Sequence, residues 1–226
     1  MKTLTQKTTQ KTTQKTTQKT MLAAALFSLS SVAVAHVGHG LTQHAGASSV
    51  DLMAAITAGL MHPISGLDHV VLAVGMGMVF ARHKKLGLGL LVTSLLLGFA
   101  LVQLSHVAIG SSIIEGAILL SVVLTAVAVL AQRTKIAQAN QKSFSLMMAM
   151  SLFGLTLFHG MAHAVEMPVS SVSQGFGLGM ITAMSALFAV GAGVMNWVKS
   201  QSHAHPKLSW LPSIMAALGM ALVLAN

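Results

Sequence analysis

The chain has 226 residues, of which 54% are hydrophobic and only 8% charged, whereas a water-facing domain carries roughly 25% charge. So little charge cannot cover a soluble globule of this size, and the lack of cysteine removes disulfide frameworks, thiolate zinc sites, iron–sulfur clusters and cysteine nucleophiles together. The formal charge of +9 does not indicate a nucleic-acid partner: Lys2, Lys7, Lys11, Lys15 and Lys19 all lie in the first twenty residues, leaving eight cations against four acids and no basic aromatic stripe.

Residues 2–20 repeat Gln-Lys-Thr-Thr without apolar periodicity, which predicts disorder. An apolar stretch, 21–35, follows and ends Ala33-Val34-Ala35. A basic leader, a short apolar core and a small-x-small ending describe a secretory signal peptide over 1–35, and the run is too short for a comfortable membrane span. Cleavage after Ala35 starts the mature chain at His36, in the periplasm of a bacterium. Residues 36–49 then form a flexible periplasmic segment carrying His36, His39 and His44.

Residues 50–226 read as one transmembrane domain. Six apolar segments, 63–81, 86–105, 111–131, 144–166, 175–198 and 208–225, are each long enough to cross the ~30 Å hydrocarbon core at ~1.5 Å per residue. A shorter apolar piece, 50–61, precedes them. The fold class expected is therefore all-α: a polytopic membrane bundle of about six helices, with a half-helix before the first. Arg82, Lys84 and Lys85, then Arg133, Lys135 and Lys142, then Lys199 and Lys207 occupy alternate connections, while 105–110 and 167–174 hold no Lys or Arg. The positive-inside rule makes the basic connections cytoplasmic and both mature termini periplasmic, in the inner membrane. Gly75, Gly77, Gly175, Gly177, Gly179, Gly191 and Gly193 suit close helix packing.

Ionisable groups inside a membrane are costly and line pathways or pair with one another. Beyond residue 60 the acids are Asp68, Glu115 and Glu166, and this topology places all three near the periplasmic face together with His62, His69, His106, His159 and His163. His83, His203 and His205 fall in the opposite, cytoplasmic loops. Pro63 predicts that one helix ends at His62 and the next begins at Pro63, setting Asp68 and His69 just over a turn into it. On the fourth span His159, His163 and Glu166 share one face, about 40° and −20° apart around the helix. Imidazole nitrogens with carboxylate oxygens suit a divalent transition metal. The expected ligands are His62, Asp68, His69, His159, His163 and Glu166, with His36, His39, Glu115 and His106 as accessory candidates. Most of the sixteen methionines are scattered along the spans and read as packing.

His62-x5-Asp68-His69 and Phe158-His159-Gly160-x-Ala162-His163-x2-Glu166 resemble the paired signatures of the HupE/UreJ family, and His36-Val37-Gly38-His39 at the expected mature start is similar too. The resemblance covers most of residues 36–226 and departs at Ala164, where the family pattern has glycine. It implies a nickel permease serving maturation of hydrogenase or urease; the residues alone indicate only a divalent transition metal, so cobalt, zinc and copper stay open. Without a Walker-type loop, entry is expected to be gradient-driven, with no organic cofactor. The expected partners are the lipid bilayer, the metal ion and, in a homo-oligomer, further copies of the chain. The rival reading is an intramembrane zinc hydrolase, because His159 and His163 have helical zinc-ligand spacing; against it, Gly160 stands where such enzymes carry their glutamate, and a non-enzyme is the expectation.

Overall fold

The computed structural model describes residues 49–105, 109–166 and 171–225. Residues 1–48, with the signal peptide, His36, His39 and His44, lie outside the described residues, as does His106. Every regular element among those described is helical: α1 (Ser49–Ser65), α2 (Leu67–Val79), α3 (Lys84–Ser105), α4 (Ser111–Ala131), α5 (Lys135–Ala139), α6 (Gln141–Glu166), α7 (Ser171–Gln201), a 3-10 turn at Pro206–Trp210, and α8 (Leu211–Ala225). Five of the helical stretches are long and apolar enough to cross a membrane, and α1 and α2 are shorter apolar helices. The chain is a polytopic helical membrane protein.

The expected first span, 63–81, is where the structure differs. No helix begins at Pro63. Instead α1 runs through Pro63 to Ser65, and the break falls at Gly66, whose backbone is extended (φ −86°, ψ 110°). Pro63 removes only the amide that would reach Gly59, and so near the helix end that loss is tolerated. The His62 carbonyl then closes α1 by accepting the Gly66 amide at 2.9 Å and the Ser65 hydroxyl at 3.0 Å. At about 1.5 Å per residue, the 13 residues of α2 span about 20 Å, too little for the hydrocarbon core alone. The first crossing is thus a broken one, built from α1 and α2 in series. Interrupted helices at membrane depth are tolerated where they line a cavity or hold an ion.

Both halves pack along α7, whose 31 residues extend about 46 Å. A methyl group at Gly59 would overlap the Phe176 carbonyl, and one at Gly179 the Ile56 carbonyl, so α1 lies against the start of α7. Further along, Gly77 meets the Phe188 carbonyl and Gly191 the Val74 carbonyl, which seats α2 against its later half. The same device joins α3 to α6, where Gly98 faces the Leu157 carbonyl and Gly160 the Leu95 carbonyl. Gly177 and Gly193 have nothing near them and are not packing positions.

The interior is apolar as in a soluble core, but so is the outer surface. Leu72, Met76, Leu91, Leu95, Leu152 and Met184 are buried, while Leu104, Leu146, Met150, Leu178, Trp197 and Leu218 face outward, as a lipid-solvated surface requires. At the far end of α2, Gln132 donates to the Val79 carbonyl, and Arg133 stacks on Trp210 at 3.9 Å and donates to the Ser209 carbonyl at 2.7 Å. These contacts gather the ends of α2 and α4 with the turn before α8. The histidines lie at the opposite end of α2.

A candidate metal centre at the helix break

The break at Gly66 puts His62 on the last turn of α1 and Asp68 and His69 on the first turn of α2. α6 brings His163 and, one turn deeper, His159 against them. The ligand atoms of His62, His69 and His163 all lie within 4.8 Å of one another. Ring centroids are 5.0 Å apart for His62–His69 and 4.8 Å for His62–His163, with His159 at 5.3 Å from His69. His159 is 1% exposed and His163 5%, which is deep burial for imidazoles in an apolar bundle.

Hydrogen bonds set the tautomers. His69 donates Nδ1–H to Asp68 Oδ1 at 3.0 Å, so its Nε2 carries a lone pair. That Nε2 lies 3.2 Å from His163 Nε2, and the proton shared by the two nitrogens would have to leave for both to bind a metal. The second oxygen of Asp68 is 3.8 Å from His159 Nε2. Asp68 thus holds His69 of the His62–His69–His163 group with one oxygen and faces His159 with the other. Among the described residues, His62 Nε2, both ring nitrogens of His159 and His163 Nδ1 are buried without a hydrogen-bond partner. Unsatisfied buried donors and acceptors are rare because each is costly, and a cluster of them among imidazoles is what a metal ion would satisfy. Zinc-type imidazole bonds of about 2.0–2.1 Å need nitrogens roughly 3–3.5 Å apart. His69 and His163 already meet this, and His62 needs only a ring adjustment.

The remaining sequence candidates are not gathered in the same way. Glu115 is exposed on α4 and stands outside the group. Glu166 is the last residue of α6, and its side chain lies outside the described residues.

Three residues that the sequence reading passed over shape the centre. A Cβ at Gly66 would come 2.7 Å from His69 Nδ1 and 3.1 Å from Asp68 Oδ1, so only glycine leaves room for that pair. Phe176, the aromatic residue in the Gly175-Phe176-Gly177 run, lies 5.5 Å from His62 and 6.0 Å from His163, forming an apolar wall. Gln103 on α3 donates to the Ala164 carbonyl at 3.0 Å, tying down the turn that carries His163. The glycine two residues before Asp68 was the available signal for the first; nothing in the local pattern marks Gln103.

The profile of the HupE / UreJ protein family matches residues 24–222. The chain belongs to the HupE/UreJ family. A relative, "Protein HupE" of Rhizobium leguminosarum bv. viciae, is 33% identical over 173 residues, covering 76% of this chain and 80% of that one. No solved structure matches the chain. Within this HupE/UreJ chain, both signature segments converge on one centre: the first supplies His62, Asp68 and His69 across a helix break, and the second supplies His159 and His163 from α6. Ala164, the departure from the family pattern, is buried and contributes its carbonyl to Gln103. It replaces no ligand.

Proposed function

We propose that the protein is a secondary permease for a divalent transition-metal ion, nickel foremost, carrying it from periplasm to cytoplasm for nickel-enzyme maturation. Membership of the HupE/UreJ family supports the nickel assignment. The observation that carries the transport reading is the meeting of three imidazoles across an interrupted membrane helix, with buried nitrogens lacking partners. In this reading the protein sits in the bacterial inner membrane with both mature termini periplasmic, and His36 and His39 capture the ion ahead of the centre. His62, His69 and His163 hold it, Asp68 orients His69 and offsets the ion's charge, Glu166 completes the set, and His159 is the next donor one turn deeper on α6. A membrane potential supplies about 4.6 kcal/mol per 100 mV to a doubly charged ion, from ~2.3 per charge, which is enough to drive entry without ATP.

The surroundings of Gly160 favour the permease over the hydrolase reading. The position where a helical zinc hydrolase carries its glutamate is Gly160, which faces the α3 backbone at Leu95 rather than the imidazoles. The test is accumulation per cell from a mixture of trace nickel, cobalt, zinc and copper. Cells expressing the protein should concentrate nickel above the other ions, and cells expressing His69→Ala should match cells without the protein. Equal accumulation in all three would refute the permease.

A further inference from the structure

Besides Thr156, four other described threonines within helices turn their hydroxyls back onto their own helix, Thr57 to the Met53 carbonyl, Thr93 to Gly89, Thr125 to Ser121 and Thr182 to Leu178, and Thr134, in the turn after α4, donates to Ala131 at that helix's end. This is the ordinary way to hide a hydroxyl in an apolar bundle. Thr156 is different. Fully buried, it donates instead across the gap to α2, reaching the Met76 sulfur at 3.9 Å.

Its place is as telling as its partner. Met76 lies seven residues beyond His69 on α2, and Thr156 seven residues before His163 on α6. Seven residues are two helix turns, about 10.5 Å, and return to within about 20° of the same face. The antiparallel pair therefore has two matching rungs, His69–His163 at 3.2 Å and Met76–Thr156 at 3.9 Å. Between Thr156 and His163 along α6 is His159, 1% exposed; neither ring nitrogen has a hydrogen-bond partner among the described residues, and Asp68 Oδ2 is 3.8 Å from its Nε2. One turn beyond Thr156 on α6, Leu152 is fully buried in the apolar core.

We propose that His159, Thr156 and Met76 form an inner metal station, distinct from the His62–His69–His163 group, that receives the ion as it moves toward the cytoplasm. The proposal rests on the permease reading and deepens it. The donor set is one imidazole nitrogen, one hydroxyl oxygen and one thioether sulfur. Imidazole and thioether favour borderline and soft d-block ions, whereas magnesium and calcium require oxygen shells. Two neutral weak donors beside one imidazole bind less firmly than three imidazoles. A station from which an ion must leave needs that weakness, since conduction requires sites that are entered readily and also left. It also gives Met76 a task beyond filling the core.

The test uses full-length protein in proteoliposomes with nickel as the probe. Thr156→Val and Met76→Leu keep shape and apolar volume while deleting the hydroxyl and the sulfur. Nickel bound per chain at the outer group should be retained, and uptake should fall about tenfold or more, the scale at which groups supporting a metal site act. Thr156→Ser, which restores the hydroxyl, should recover uptake. A second measurement does not depend on the variants' transport: with excess nickel, the nickel-edge X-ray absorption of the wild-type protein should show a sulfur neighbour. In a chain without cysteine that neighbour is a methionine, and it should vanish in Met76→Leu. Uptake equal to wild type in both variants, or a purely nitrogen and oxygen shell in the wild type, would overturn the station and leave the permease standing. A wild-type protein that moves no nickel would reject the permease reading and the station with it.

Discussion

Asp68 stands 3.0 Å from His69 Nδ1 and 3.8 Å from His159 Nε2, so one carboxylate organises two imidazoles and brings the described centre its negative charge. Asp68→Asn keeps the size and an acceptor for His69 while deleting that charge. Nickel uptake by cells expressing it should drop about 10- to 100-fold at unchanged protein level, the range seen when a metal ligand's supporting partner is lost. His83→Ala, His203→Ala and His205→Ala, all exposed in loops, should leave uptake near wild type; loop variants as damaging as Asp68→Asn would contradict a route confined to the buried histidines. At this scale the sequence singled out His62, Asp68, His69, His159 and His163, which the fold brings together, because ionisable groups in an apolar chain are conspicuous. It was silent on Thr156 and Gln103. A threonine or glutamine in a membrane helix shows its significance only when the partner across the gap is known, and that partner is set by packing.

The helix break is the element on which the centre depends. Proline at position 63 signalled an interruption, but the chain breaks three residues later, because a helix near its end loses little from one missing amide and only Gly66 clears the Asp68–His69 pair. Gly66→Ala places a methyl against both side chains, 2.7 Å from His69 Nδ1. Purified Gly66→Ala protein should bind nickel at least about tenfold more weakly by calorimetry while its circular dichroism stays helical. Wild-type affinity in that variant would show that the break does not position the imidazoles. The long spans α3, α4, α6 and α7 were legible from hydropathy to within a few residues. The division of the first crossing was not, since an apolar run reads the same whether one helix or two in series occupies it.

Over the whole molecule, hydropathy indicated how many segments are apolar enough to cross and charge suggested which connections share a side, but neither reveals which helices touch. The close approaches of α1 and α2 to α7, and of α3 to α6, depend on single glycines meeting carbonyls, and Gly177 and Gly193 show that glycine alone does not announce such a contact. The natural lack of cysteine makes sidedness directly measurable. Ala108→Cys and Ser171→Cys should react with an impermeant maleimide from the periplasmic side, and His83→Cys only after the membrane is opened; the reverse pattern would invert the proposed direction of transport.

The central claim is that His62, His69 and His163 bind a divalent transition metal across the broken helix, and metal binding to the purified full-length protein tests it most directly. Wild-type protein should retain nickel through gel filtration, with an X-ray absorption spectrum showing imidazole scattering, and the combined variant His62→Ala, His69→Ala, His163→Ala should retain none at this centre. Equal nickel content and an unchanged imidazole signature in the variant would contradict the account.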